Sequence, residues 1–507
     1  MVTIAMEQGL AAVRARHPFA AVDWFRRELT ANPENQEARG WLGQSLCVIG
    51  HILEGAEQLK TAGAALLSAL PEEAGAVSRL LEVITSLQQW GEMEAALQLS
   101  RQLIAVAPRD PGAQRALAIC CGQLNLHDEA VQAAEASLRL FPSPMMQVLT
   151  ASLEADAGRQ DDALDRLLQA LATGAEPRAA FRGHKEAARV LDRLARFDEV
   201  FPHLEAAAAL APELPEFRAF HPDQARRMLA QNRQDYDAEL LGRWAGRRFE
   251  TRAPTFIMGF YRSGTTLAQS VLATHPDVFV ADEAHLIGDV QRAMFRLQPG
   301  DRPAEALRAL TPPMVEQLRR HYWERVALRY GAAAAEAPVF VDKFTMNTLD
   351  LGLINTIFPD ANLVFMIRDP RDVVLSATLQ LLPPTPATIH LLSWSSAANF
   401  YANVMDWWNV VRPMLTMTVL EVRYENVVRA FEPTVPRLFE SLGLPWTGDA
   451  SSFHKAAAGR YIASPSRGQV SRPLYDTSVQ RWRNYEDRFS TVHEALDPFS
   501  RQFGYDT

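Results

Sequence analysis

From the N-terminus to Pro212, apolar residues recur at three- and four-residue steps, the spacing that turns one face of an α-helix toward a core. Prolines punctuate this pattern at Pro33, Pro71, Pro108, Pro142, Pro177 and Pro212, with intervals of 38, 37, 34, 35 and 35 residues. Each interval holds two helices and a turn. The period therefore predicts stacked helical hairpins, because a lone hairpin cannot bury its own apolar face. Ala95, Ala130 and Ala163 are expected where paired helices approach closely, and the proline after each second helix is expected to end it.

After Pro254 the pattern changes. Short apolar runs (TFIMGF from Thr255, VFV around Phe279, PVFVDK, NLVFMIR and TVLEVRY) alternate with helical segments. Buried strands separated by helices predict a mainly parallel sheet covered on both faces. The expected organisation is multidomain: an all-α superhelix over residues 1–212, a charged helical linker over 213–253, and an α/β domain over 254–507. A stripe of Trp394, Tyr401, Met405 and Trp408 at helical spacing reads as core rather than as an aromatic acceptor site.

At 507 residues the chain is too long for one core, and 48% hydrophobic with 22% charged residues is globular composition throughout. A formal charge of -9 argues against a nucleic acid partner, so any anion site must be local. Cys47, Cys120 and Cys121 fit neither a disulfide framework nor a zinc motif, and are expected to be buried thiols in a reducing compartment. The N-terminus has no signal-type apolar run, and no stretch reaches the roughly 18 apolar residues of a membrane span. No integral membrane segment is expected, and the cytoplasm is the expected location. The oligomeric state is left open.

The clearest chemical signal is PTFIMGFYRSGTTLAQSVLATHP from Pro254, which reads strand, glycine loop, helix. Gly259, four residues, Gly264, Thr265 and Thr266 follow the frame of a phosphate-binding loop, with Thr265 where that frame requires lysine. Backbone amides and the positive helix end still suit an anion. Without the lysine, a nucleoside triphosphate is a poorer ligand than a nucleotide with a shorter anionic chain. A second motif, FPDANLVFMIRDPRDVVLSATLQ from Phe358, puts Arg368 at a strand end, Asp369 and Pro370 at a helix start, and Ser376 eight residues beyond Arg368.

FIMGFYRSGTT resembles the 5'-phosphosulfate loop of sulfotransferases. Its arginine form, with Arg262, looks more like tyrosylprotein sulfotransferases and their bacterial tetratricopeptide-bearing relatives than like the cytosolic small-molecule enzymes, which usually carry lysine there. That resemblance implies 3'-phosphoadenosine-5'-phosphosulfate (PAPS) as donor, held by Arg262, Ser263, Gly264, Thr265 and Thr266, with no metal. It implies that Arg368 and Ser376 hold the 3'-phosphate. It further implies that Ser466, Arg467 and Gly468, in SPSRGQVSRPLYDTSVQRW from Ser464, close over that phosphate, and that Arg481 adds a basic contact.

Glu283, in VADEAHL, resembles the catalytic base of the tyrosylprotein branch, although Asp282 and Ala284 depart from that branch's flanking glutamate and threonine. His285 is the alternative base. Lys343 resembles a lysine that assists the leaving group, a task shared with Arg262, and Asn347 would orient a neighbour.

In the first half, WLGQSLCVIGHILEGAEQL from Trp41, GEMEAALQL from Gly91, NLHDEAVQAAEASLRLFP from Asn125 and GRQDDALDRLLQAL from Gly158 resemble tetratricopeptide helices. This implies a concave face for a peptide or protein, or else a bundle that buttresses the second domain. The leading expectation is a sulfotransferase acting on an acceptor hydroxyl, whether a peptide tyrosine, a carbohydrate, a lipid or a small phenol. A nucleotide-dependent phosphotransferase and a non-catalytic adaptor are the alternatives.

Overall fold

The computed structural model describes residues 3–70, 75–446, 448–454, 461–462, 470 and 473–505. The chain divides into two compact units, the first built mainly from residues up to Ala163, the second from Leu164–Trp323 and from Ala337 onward. Residues 164–212, read from the sequence as part of the repeat arm, thus pack within the second unit.

Helices pair as the periodicity predicts, among them Gln36–Val48 with Ile52–Ala69, Ala76–Gln89 with Met93–Val106, and Pro111–Gln123 with His127–Leu140. The turn inside a hairpin carries a residue with positive φ: Arg16, Gly50, Gly91, Asn125, Gly158 or Ala195. The next amide reaches back five residues to a helical carbonyl, as in His51 to Leu46 (2.9 Å), Glu92 to Leu87 (2.9 Å) and Leu126 to Cys121 (2.8 Å). This left-handed cap satisfies carbonyls the helix would otherwise orphan.

Between hairpins, Pro33, Pro108 and Pro142 follow second helices as expected. Pro177 instead opens the helix Pro177–Arg193 at its first position, where its fixed φ and missing N–H cost nothing. Ala130 and Ala163 are fully buried, whereas the neighbour of Ala95, Ala96, is the fully buried one in its hairpin. Glycines also allow close approach within a hairpin: a Cβ on Gly43 would lie 2.8 Å from the Gly55 carbonyl oxygen, and one on Gly55 2.5 Å from Cys47 Sγ. Cys47, Cys120 and Cys121 are free and buried.

The second unit holds the predicted strands as β1 (Thr255–Gly259), β2 (Val278–Asp282), β3 (Val339–Lys343), β4 (Asn362–Ile367) and β5 (Thr418–Arg423). They form one sheet in the order β2-β3-β1-β4-β5, with every pair parallel. Central β1 is buried at every position, while edge strands β2 and β5 are partly exposed, which explains the weaker apolar runs of the latter two. One face packs Ile257, Val341, Val364 and Val422 against Leu267, Val271 and Phe439. In the helix Trp394–Val411, Tyr401, Met405 and Trp408 are buried, and Trp408 stacks on Phe365 at 3.6 Å between ring centroids, so these three are core, while Trp394 at the helix start is only partly buried.

The chain leaves β1 toward β2 on one side, and returns across β1 to lay down β4 on the other. Strand direction is common but connection order reverses at β1, and such a switch point opens a crevice at the C-terminal strand ends. The glycine loop, Glu283, Lys343 and Arg368 all fall at that edge. Among the described residues no helix is long and apolar enough to cross a membrane.

Candidate functional site

At the C-terminal edge of the sheet lies a cavity of about 310 Å3 lined by Arg262, Gly264, Thr265, Thr266, Glu283 and Arg368, together with Tyr261, His285, Thr345, Tyr424 and Tyr475. The first four belong to the glycine loop and to the start of the helix Thr265–Leu272. Glycine is required at two points in this loop. A Cβ on Gly259 would stand 2.6 Å from both the Met366 carbonyl oxygen and Ser263 Oγ. Gly264 has φ of 101° and faces Tyr424, whose Cδ2 would be 2.6 Å from an added Cβ.

Two cations meet the loop. Arg368, directly after β4, donates from Nη1 to the Arg262 carbonyl (2.9 Å) and from Nη2 to the Ser478 carbonyl (2.6 Å), and its guanidinium lies 4.6 Å from the Tyr424 ring centroid. Asp369 caps the helix Pro370–Leu379 with Pro370 at its start, as the sequence predicts. Arg262 donates from Nε to Ser376 Oγ (3.0 Å). Burial, with the Arg368 cation second, pulls Arg262 down to about 10, the response of a guanidinium in a field that an anion would relieve.

Two polar atoms of the cradle, Ser263 Oγ and Arg368 Nε, are buried without a hydrogen-bond partner among the described residues. Buried donors of this kind are costly unless a ligand or water accepts from them. The cradle thus fits a phosphate- or sulfate-bearing ligand: close backbone approach, a helix N-terminus, two guanidinium groups and unfilled donors.

Across the cavity the register of β2 on β3 sets Asp282 opposite Lys343, and the Glu283 amide extends the ladder by bonding the Lys343 carbonyl (2.8 Å). Glu283 then turns at φ of 52°, a conformation uncommon for a non-glycine residue. Its Oε1 accepts from Lys343 Nζ (2.7 Å) and Thr345 Oγ1 (3.3 Å). Lys343 also pairs with Asp282. Burial by itself would lower the Lys343 ammonium, but the two carboxylates outweigh it and hold the group above the ordinary lysine range. Fully buried Lys343 does not line the cavity, and its ammonium contacts the carboxylates of Asp282 and Glu283. The half-buried carboxylate of Glu283 does line it.

His285 reaches the cavity beside Phe344, 4.5 Å between ring centroids. Asn347 is buried in the turn Thr345–Asp350. Ser376 meets Arg262 and is not in the cavity lining. Arg481 is directed elsewhere as well: its guanidinium pairs with Asp192, because that buried carboxylate is the nearer compensation for its charge. Ser466, Arg467 and Gly468 lie outside the described residues.

The sequence motifs did not point to Tyr261, Thr345, Tyr424 or Tyr475. Tyr261 sits inside the glycine loop and bonds Thr385. Burial first, and then Glu283, push its phenol well above the usual range. Thr345 Oγ1 also lies 3.0 Å from Thr265 Oγ1, linking the two sides of the cavity. Only the position of Tyr261 beside Arg262 offered a signal.

Residues 254–448 match the model of the sulfotransferase family. The chain is 26% identical over 436 residues to an uncharacterised protein of Aquifex aeolicus, covering 84% of this chain and 50% of that one. It is 24% identical over 267 residues to protein-tyrosine sulfotransferase A of Caenorhabditis elegans, covering 50% of this chain and 67% of the relative. The chain therefore spans half the length of the Aquifex protein and two thirds of the nematode one. Among solved structures, a sulfotransferase domain from the curacin biosynthetic pathway aligns over 50% of this chain and 99% of its own, at 17% identity and a TM-score of 0.33, a likeness too distant to carry weight. Residues 254–448, which hold the parallel sheet, thus resemble a sulfotransferase-family domain, and they follow the helical hairpins already described.

Proposed function

We propose that the protein transfers the sulfonate of PAPS to an acceptor hydroxyl, that a peptide or protein tyrosine is the acceptor, and that it works in the cytoplasm. One observation carries the reading: a single cavity at the switch point of the sheet is lined by a glycine loop and two arginines on one side and by a lysine-paired glutamate on the other. The tyrosine acceptor is supported by likeness to the nematode protein-tyrosine sulfotransferase.

When bound, the donor supplies the sulfonate and a leaving group bearing phosphates at the 3' and 5' positions. In this reading the glycine loop, Ser263 and Thr266 hold the 5' side, and Arg368 recognises the 3'-phosphate. Arg262 offsets charge on the leaving oxygen, where a preorganised cation stabilises developing charge most effectively. Glu283 takes the acceptor proton. Among the described residues the hydrogen bonds to its carboxylate fall on Oε1, which leaves Oε2 for that proton. Lys343, held charged between two carboxylates, orients Glu283 and keeps a compensating cation beside it. Ser376 acts through Arg262 by fixing its Nε. Ser466, Arg467 and Gly468 are carried as donor contacts on the family resemblance alone.

The helical arm would bind a peptide or protein. A groove of about 370 Å3, lined by Gln36, Trp41, Gln44, Arg79, Glu82 and Arg115 from successive first helices, supports that role.

Thermal shift with adenosine-3',5'-bisphosphate, adenosine-5'-phosphate and ATP tests the reading, since a ligand that binds only the folded state raises Tm. The expected result is the largest rise with the bisphosphate. A larger rise with ATP would point to a phosphotransferase, and no rise with any of the three would point to a non-catalytic adaptor.

A further inference from the structure

Six non-glycine residues with positive φ are found among the described residues, and three of them sit in hairpin turns of the helical region: Arg16, Asn125 and Ala195. The other three are Arg262, Glu283 and Gln480 (φ 59°). Arg262 and Glu283 line the cavity, and Gln480 does not. A left-handed non-glycine residue persists only where its surroundings over-determine it, so the restraint on Gln480 calls for an account.

That restraint comes from two buried carboxylates. Asp372, in the first turn of the helix Pro370–Leu379, accepts the Gln480 amide at Oδ2 (2.7 Å) and the Trp482 amide at Oδ1 (2.9 Å). The neighbouring Arg371 guanidinium lies 3.8 Å from the Trp482 ring centroid. From the other side Asp192, near the end of the helix Pro177–Arg193, pairs with the Arg481 guanidinium and accepts from Tyr485 OH (2.8 Å). Two residues ahead of these grips the chain presents the Ser478 carbonyl to Arg368 Nη2 at 2.6 Å, and Ser478 Oγ to Tyr424 OH at 3.2 Å. Just before the gripped segment, Pro473, Leu474 and Tyr475 form part of the cavity wall.

We propose that Asp192, a residue of a helix that precedes the sulfotransferase-family domain in sequence, is a positioning residue for the donor site, acting through Arg481 and the Ser478 carbonyl on Arg368. This inference rests on the donor reading given above. Neutralising a buried carboxylate that faces a guanidinium leaves that cation uncompensated, and here the cation belongs to the segment that aims Arg368. Helical residues ahead of the family domain therefore belong to the functional core of the second unit.

The test compares wild type, Asp192→Asn, Asp192→Glu and Phe181→Leu in the full chain. Phe181 stands on the same helix and packs against Phe217, so its variant loosens that helix away from Asp192. Two quantities are read: the Kd for adenosine-3',5'-bisphosphate, and amide exchange over Ser478–Trp482. Asp192→Asn is expected to weaken the bisphosphate roughly 2- to 30-fold, the range for residues coupled to a site without touching the ligand. It should also speed exchange at Gln480 and Trp482. Asp192→Glu should recover affinity, and Phe181→Leu should lower Tm with affinity unchanged. Wild-type affinity in Asp192→Asn, or an equal loss in Phe181→Leu, would overturn the inference while leaving the donor reading intact. Failure of the wild type itself to bind the bisphosphate would overturn that reading, and the inference with it.

Discussion

Glu283→Gln is expected to lower turnover by roughly 100- to 10,000-fold, the usual worth of a positioned general base, while affinity for adenosine-3',5'-bisphosphate is unchanged. The amide keeps the size of the carboxylate but cannot take the acceptor proton. Lys343 keeps Asp282 as a partner when the charge of Glu283 is removed, so the buried ammonium is not stranded and the fold should hold. Steady-state rates with a labelled donor, paired with equilibrium binding of the bisphosphate, check this outcome. A parallel loss of turnover and bisphosphate affinity would mean that Glu283 supports the donor rather than the proton transfer.

Arg368→Ala is expected to act in the opposite way, weakening the bisphosphate on the order of 100- to 1,000-fold, because it strips a buried anion site of its cation. Discrimination matters more than magnitude here. If Arg368 reads the 3'-phosphate, the variant should bind adenosine-3',5'-bisphosphate no better than adenosine-5'-phosphate, and calorimetric titration with both ligands measures that ratio. Arg368→Lys should fall between, since a lysine keeps the positive charge but not the planar fork whose two nitrogens reach the Arg262 and Ser478 carbonyls. Retained preference for the bisphosphate in Arg368→Ala would move 3'-phosphate recognition to another group.

Much of this arrangement is legible in the linear sequence because it rests on local rules. Each apolar run that bounds a strand does so because a central parallel strand is buried on both faces, and β1 and β4 show this most fully. Asp369 and Pro370 announced a helix start through capping preferences that operate within a few residues. The period of the helical region was equally visible, although Pro177 belonged to the start of a helix rather than the end of one. Glycines at Gly50, Gly91 and Gly158 mark hairpin turns, yet Arg16 and Ala195 adopt the same left-handed cap without the residue type that signals it.

What the sequence did not disclose depends on long-range pairing. The family resemblance offers Arg481 as a donor contact. Its partner, Asp192, lies 289 residues earlier on a helix whose packing no local pattern records. Likewise Lys343 was visible as a strand-end lysine, but its burial between Asp282 and Glu283 follows from the register of β2 on β3. The aromatic part of the cavity wall, Tyr261, Tyr424 and Tyr475, comes from separate segments that share a surface only once the sheet order is known.

The central claim is that one cradle of main-chain amides and guanidinium groups receives a nucleotide phosphorylated at both the 3' and 5' positions. A crystal structure of the protein with adenosine-3',5'-bisphosphate tests it most directly. The account predicts the 5'-phosphate against Gly264 to Thr266 and the 3'-phosphate within hydrogen-bond distance of the Arg368 guanidinium; a bisphosphate seated anywhere else, or with its phosphates reversed between those two groups, would contradict it.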